Sequence, residues 1–231
     1  MLQVVVALVS AMVVRRAPTP TLLASSSFAE SAGWPPLRDS LDQLPVFTVA
    51  DAEGKPLQYE VDGEKSAVFY ADVDQAKEEL ATAKAQFPNL EGIDIIPVGL
   101  GGAYLATTKG DAVLIPGRAD LTRAGCPENA PAVGQPLPLF ACMEMSRESS
   151  DGSGQPVLPL FMCHADCAEA VAQATASDLG EDEDPLEIVG LSLPSVVERL
   201  SSVADETPAF TFVPPSASAE FIRNYLESQA P

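Results

Sequence analysis

The sequence predicts an α+β fold: an internally duplicated, pseudo-twofold-symmetric single domain with a β-sheet core and flanking helices. Three observations lead there. Segments of the second half of the chain match segments of the first in the same order. Each copy alternates short β-branched or aromatic runs with stretches of helical periodicity. The 21 prolines among 231 residues, about 9% against a usual share of roughly 5%, punctuate these runs with turns.

The matches are specific. "PVFTV" (45–49) corresponds to "PLFAC" (138–142), and "EGKPL" (53–57) to "SGQPV" (153–157). "AVFYADVDQAKEEL" (67–80) corresponds to "PLFMCHADCAEAVA" (159–172), which sets Phe69, Asp74 and Ala76 against Phe161, Asp166 and Ala168. Val98-Gly99-Leu100 faces Val189-Gly190-Leu191, and "LIPGRAD" (114–120) faces "FVPPSAS" (212–218). A repeat of this length is a duplicated half-domain rather than a solenoid unit. The first repeat runs over 45–125 and the second over 137–227. The proline-containing linker 126–136 joins them, and together 45–227 form one domain.

Within a copy the elements follow in order. "PVFTV" is a strand, and the Gly-x-Pro after it turns the chain into a return strand. Residues 66–70 form a third strand. Asp72, three residues before Gln75, opens a helix with a capping box. Val73, Ala76, Leu80, Ala83 and Phe87 then recur at three- and four-residue steps as its apolar face. The stretch 92–100 is an apolar strand ended by Gly99, and "GGAYLATT" after it is a poor helix. In the second copy Pro194 starts a helix with Val196, Val197, Leu200 and Val203 as its stripe. A strand at 209–213 and a helix at 217–227 burying Phe221, Ile222, Tyr225 and Leu226 complete it. The predicted order in each half is β-β-β-α-β-α-β-α.

Residues 1–29 read as a cleavable leader rather than as part of the fold. The apolar run of 14, "MLQVVVALVSAMVV", is short for a membrane span and suits a signal-peptide core. The acid-free, hydroxyl-rich stretch after it has the composition of a transit segment, with Phe28 near its end. The alternative is a signal anchor that stays attached. Residues 30–44 read as a linker arm, tacked to the body by Trp34.

Charge narrows the function classes. The chain carries 13 basic and 33 acidic residues. Residues 1–29 hold Arg15 and Arg16 and no acid, so the remainder has 11 basic and 33 acidic residues, a net charge of -22. So acidic a body repels nucleic acid and anionic lipid and attracts basic peptides.

Chemical motifs are sparse. Cys163, His164 and Cys167, with Cys142 or Cys126, could in principle supply four zinc ligands. However, the matching corner of the first copy, Ala71 to Gln75, has neither sulfur nor imidazole, so the corner needs no metal. His164 stands where Asp72 caps the first helix and reads as its neutral substitute. Cys167, near a helix start, is a candidate for a lowered pKa. "VGLGGAY" (98–104) only partly matches a phosphate-binding loop and reads better as a turn that ends a strand. No Gly-x-Ser-x-Gly elbow occurs, and with one histidine any nucleophile–base pair must use His164. "EDEDP" (181–185) reads as a solvated loop. No catalytic residue, cofactor site or metal site is assigned, and the protein reads as non-enzymatic.

The combination "VFTVADAEGKPLQYEVDG", "AVFYADVDQAKEEL", "VGLSLPSVVERL" and "FTFVPPSAS" resembles the Tic-twenty-two-like family across about 45–227. These are soluble components of the chloroplast protein-import machinery, located between the envelope membranes. The resemblance implies a pseudo-symmetric α+β fold with non-polar pockets on two sides. It also implies a chaperone-like role with precursor polypeptides and import-translocon subunits as partners. The expected location is the plastid intermembrane space, soluble or peripheral, with the lumen as the alternative. The mature body is expected neither to enter the membrane nor to bind nucleic acid. Phe47, Phe69, Phe140, Phe161, Phe210 and Phe212 are the candidate polypeptide-binding residues, each also a candidate for the core. The alternative function is a stably bound accessory subunit of a plastid membrane complex such as a photosystem, docked through the proline-rich arm.

Overall fold

The computed structural model describes residues 28–61, 64–89, 91–148, 156–178, 186–202 and 210–229. Most of the leader (1–27), the acidic loop 181–185 and Val203 lie outside them. A helix, α1 (Trp34–Leu41), precedes the two copies. The first copy then runs β1 (Pro45–Ala50), β2 (Gln58–Val61), β3 (Glu64–Tyr70), α2 (Val73–Gln86), β4 (Asp94–Gly99), α3 (Leu100–Thr108), β5 (Ala112–Ile115) and α4 (Arg118–Arg123). The second runs β6 (Pro138–Cys142), β7 (Arg147–Glu148), β8 (Pro156–Phe161), α5 (His164–Asp178), β9 (Ile188–Ser192), α6 (Leu193–Ser201), β10 (Phe210–Val213) and α7 (Ser216–Gln229). Both follow the predicted order.

Each copy builds its own five-stranded sheet, and the two sheets share one connectivity. β1 lies between β3 and β4, and the far edge of β3 carries β2 antiparallel and β5 parallel. Likewise β6 lies between β8 and β9, and β8 carries β7 antiparallel and β10 parallel. The two sheets share one register: Phe47 pairs with Tyr70 and Phe140 with Phe161, while Pro45 pairs with Gly99 and Pro138 with Ser192. This corrects two sequence matches, since Tyr70 rather than Phe69 corresponds to Phe161, and Gly99 corresponds to Ser192 rather than to Gly190. Even the corners repeat. The Leu100 N–H donates to the Leu44 carbonyl at 2.9 Å, and the Leu193 N–H donates to that of Leu137 at 2.8 Å.

Alternation along each strand sorts side chains to two faces. From the inner faces, Val46, Phe69, Leu139 and Leu160 enter one buried cluster with residues of α1, α3 and α6. On the outer face of the first sheet, Phe47, Val68, Tyr70 and Ile95 pack under Val73 and Ala76 of α2. On that of the second, Phe140 and Phe161 pack under Cys167 of α5.

Two stretches differ from expectation. Residues 30–44 are not a free arm, because α1 sends Trp34, Leu37 and Leu41 into the main core. Burying a large apolar side chain is worth roughly 1.5–3 kcal/mol, so three of them hold α1 firmly to the body. Phe28, assigned to the leader, packs edge-on against Trp34 with ring centres 4.8 Å apart. The second stretch is "GGAYLATT", which forms the well-defined helix α3. Burial of Leu100, Ala103 and Tyr104 overrides the poor local propensity of two glycines and two threonines.

Candidate polypeptide-binding site

The site begins with Pro214 and Pro215. Neither has an N–H to continue a ladder, so β10 stops and the chain leaves the sheet. Helix α7 starts at the next residue, where the Asp166 carboxylate accepts the Ser216 N–H at 2.8 Å and its hydroxyl at 2.7 Å. This cross-tie holds the N-terminal turns of α5 and α7 together. Between them and the end of β10 lies a shallow cleft of about 220 Å³. Ala170, Val213 and Pro214 give it apolar surface, and Asp166 and Glu169 line it with carboxylates. Such a cleft suits a group that joins an apolar stem to a positive charge.

A second cross-tie lies close by. The Asp120 carboxylate of α4 accepts the His164 N–H, at the start of α5, at 2.9 Å. The expected role of His164 as a cap is therefore corrected: it is the capped residue, and its ring lies edge-on to Phe140 at 5.1 Å. In the first copy Asp72 does cap α2, accepting the Asp74 N–H at 2.8 Å. Burial raises the pKa of Asp120; the His164 N–H acts in the opposite direction, and the negative field of Asp72 adds to the rise.

Cys142, Cys163 and Cys167 are not activated. Cys167 is fully buried, and its pKa is pushed up to about 11, first by burial and then by the Cys142 and Cys163 thiols. Its place at a helix start does not offset the loss of water, so the expected lowering is corrected. Cys163 and Cys142 are also raised, mainly by burial. All four cysteines are free thiols. Among the described residues, no three His, Cys, Asp or Glu side chains are grouped to hold a metal ion.

The glycine-rich turn also resolves. The Gly102 N–H, which would face a phosphate in a nucleotide loop, donates to the Asp42 carboxylate at 2.9 Å. A Cβ on Gly99 would stand 2.5 Å from that same oxygen, and one on Gly101 would stand 2.7 Å from the Arg38 carbonyl. The glycines let α1 approach α3.

The candidate aromatic residues do not form one exposed surface. Phe47 and Phe140 are 0% and 1% exposed, and Phe69 and Phe161 are buried too. As a polypeptide-binding surface these four are corrected to core: strand alternation turns Phe69 into the main cluster, and the other three lie under the outer helices. Phe210 and Phe212 are half-buried and lean on the main cluster from the edge strand β10.

No family model and no curated protein matches the chain. Among solved structures it is similar to Tic22 from Plasmodium falciparum, with a TM-score of 0.66 and 17% identity over 84% of this chain and 99% of that one. It is also similar to Anabaena Tic22, described as protein transport, with a TM-score of 0.62 and 18% identity over 83% of this chain and 96% of that one. The chain has the Tic22 fold. Within that Tic22 fold, sequence reasoning missed Asp120, Asp166 and Ser216 as tying residues, because each acts on a partner far along the chain. The sequence match of Asp166 to Asp74 gave no signal, since the strand register and helix starts set Asp166 against Gln75.

Proposed function

We propose that this chain is a non-enzymatic, chaperone-like polypeptide-binding protein that assists protein import into plastids. One observation carries the reading: the Tic22 fold is matched along almost the entire length of both solved structures, one of them described as protein transport. The acid-lined cleft at α5 and α7 supports it, since transit segments are basic, hydroxyl-rich and poor in acids. The net charge of -20 would draw such segments in from solution. The proposed setting is the space between the plastid envelope membranes, with precursor chains and translocon subunits as partners. Among the described residues no helix is long and apolar enough to cross a membrane. Packing of α1 into the core leaves the accessory-subunit reading without the free arm that motivated it.

The test is binding of a basic transit peptide across about 50–200 mM salt, where exposed charges become screened. Affinity should fall steadily as salt rises. Affinity unchanged over that range removes the electrostatic part, and no binding at low salt removes the reading. Cross-linking in intact plastids adds the client range: many precursors fit a holdase, and one fixed partner set fits a subunit.

A further inference from the structure

We infer that the outer edge of β9 is a strand-addition site, where a basic, extended segment of another polypeptide pairs with the second sheet through its backbone. The inference rests on the polypeptide-binding reading and adds to it a site, and a mode of binding, apart from the cleft at α5 and α7.

β4 and β9 end their sheets, beside β1 and β6. In an antiparallel ladder, successive residues turn their backbone groups alternately toward the partner strand and away from it. Two bonds fix the phase. The Leu193 N–H donates to the Leu137 carbonyl, one step beyond the Pro138–Ser192 pair, so Ile188 and Gly190 turn their N–H and C=O groups outward. The bond from Leu100 to Leu44 stands in the same relation to the Pro45–Gly99 pair, so Ile95 and Pro97 face outward on β4.

The two edges are finished differently. On β4 the Ile95 N–H is taken by the Asp94 carboxylate at 2.8 Å, and Pro97 has no N–H to offer. Both devices close an edge strand against pairing. On β9, Ile188 holds the register position of Ile95, and Gly190 holds that of Pro97. Gly190 keeps the donor that Pro97 lacks, and among the described residues no side chain accepts from the Ile188 N–H. Gly190 and Leu191 are exposed, so the edge is open to solvent. A Cβ on Gly190 would meet Ala124 of α4 at 3.8 Å, over the face of the sheet rather than along its edge.

Charge selects the partner. The sequence entering β9, "EDEDPLE" (181–187), has five acids and no base. A second copy would bring another chain of net charge -20 against it, whereas a basic segment is drawn in. Backbone pairing also tolerates varied side chains.

The test uses the full chain, a synthetic peptide of alternating lysine and threonine, and the same peptide N-methylated at every second residue. The unmodified peptide should bind and slow exchange of the Ile188 and Gly190 amides at least about tenfold, because unpaired edge amides exchange readily. The methylated peptide, with its donors blocked, should not bind. Gly190→Pro copies the closure of β4 and should weaken binding at least about tenfold with circular dichroism unchanged. Gly190→Ala keeps the N–H and should bind within about threefold of wild type. A folded Gly190→Pro that binds like wild type overturns the site, as does equal binding of the methylated peptide. If Gly190→Pro does not fold, the methylated peptide and the exchange data decide. A dimer that Gly190→Pro abolishes would assign the edge to a second copy and overturn the basic partner. A chain that pairs the lysine peptide at β9 but refuses transit peptides removes the client reading and leaves the edge site. Transit peptides that bind while both amides exchange as before remove the edge site and leave the client reading.

Discussion

The Asp120 carboxylate reaches across 44 positions of sequence to accept the backbone N–H of His164. The last helix of the first copy thus caps the first helix of the second. From α5, Asp166 then ties the start of α7, which packs on α2 of the first copy. Each half ends in a helix that closes against the other half. The cleft at α5 and α7 lies beside these crossings and is lined by residues of the second copy.

Asp120 makes stability depend on acid pH. Its raised pKa means the folded state holds the proton more tightly than the unfolded chain does. That stabilisation is complete below the unfolded carboxyl pKa and is lost as pH rises through the folded value. Asp120→Asn keeps an oxygen for the His164 N–H, so it should flatten this fall and be no less stable than wild type at neutral pH. Asp120→Ala loses the cap and should be about 1 kcal/mol less stable than the Asn variant. Urea melts from about pH 4 to pH 7 read both effects. An Asn variant weaker than the Ala variant would show that the hydrogen bond is not what matters.

Phe47 and Leu226 separate core from surface. Phe47→Ala should cost about 3–5 kcal/mol, since a fully buried ring leaves a cavity between β1 and α7. Leu226→Ser should change stability by less than about 0.5 kcal/mol, because that side chain stands in solvent. Denaturant midpoints at constant slope are the measurement. Comparable losses at both positions would contradict the burial pattern.

The cysteines should behave as packing. Cys142 and Cys167 are both 0% exposed, so a thiol reagent at neutral pH should label them only on unfolding. Replacing Cys163 and Cys167 together by Ala should leave peptide binding within about twofold while lowering stability by about 1 kcal/mol for the lost volume. Rapid labelling of Cys167 in the native chain would revive a reactive role.

The strand order was readable because both copies repeat it, and a repeat confirms weak signals in either half. The spacing of Trp34, Leu37 and Leu41 was a helical stripe in plain view, obscured by Pro35 and Pro36. Two prolines suit the first turn of a helix, where they lose no hydrogen bond, and that is where they sit. The cross-ties were not readable. Capping by Asp120 and Asp166 depends on where two distant helices cross, and local pattern carries no record of it. Leu226 was misread because its spacing continues the stripe of α7 after the surface beneath has ended.

The two glycines that open α3 should respond in opposite directions to the same substitution. Alanine favours a helix over glycine by up to about 1 kcal/mol, so propensity alone would stabilise both sites. At Gly102 the nearest atoms to an added Cβ are the Asp42 carboxylate at 3.9 Å and the Arg38 guanidinium at 4.0 Å, both ordinary contacts. Gly102→Ala should therefore raise stability by about 0.5–1 kcal/mol. At Gly101 the added carbon meets the Arg38 carbonyl at 2.7 Å, and that oxygen belongs to the backbone of α1. It cannot move aside without dragging Leu37 and Leu41 in the core, so overpacking of about 1–3 kcal/mol outweighs the helical gain. Gly101→Ala should lower the melting temperature while Gly102→Ala raises it. If both variants shift the same way, α1 does not press on α3 as closely as the structure has it, and the glycine run needs another explanation.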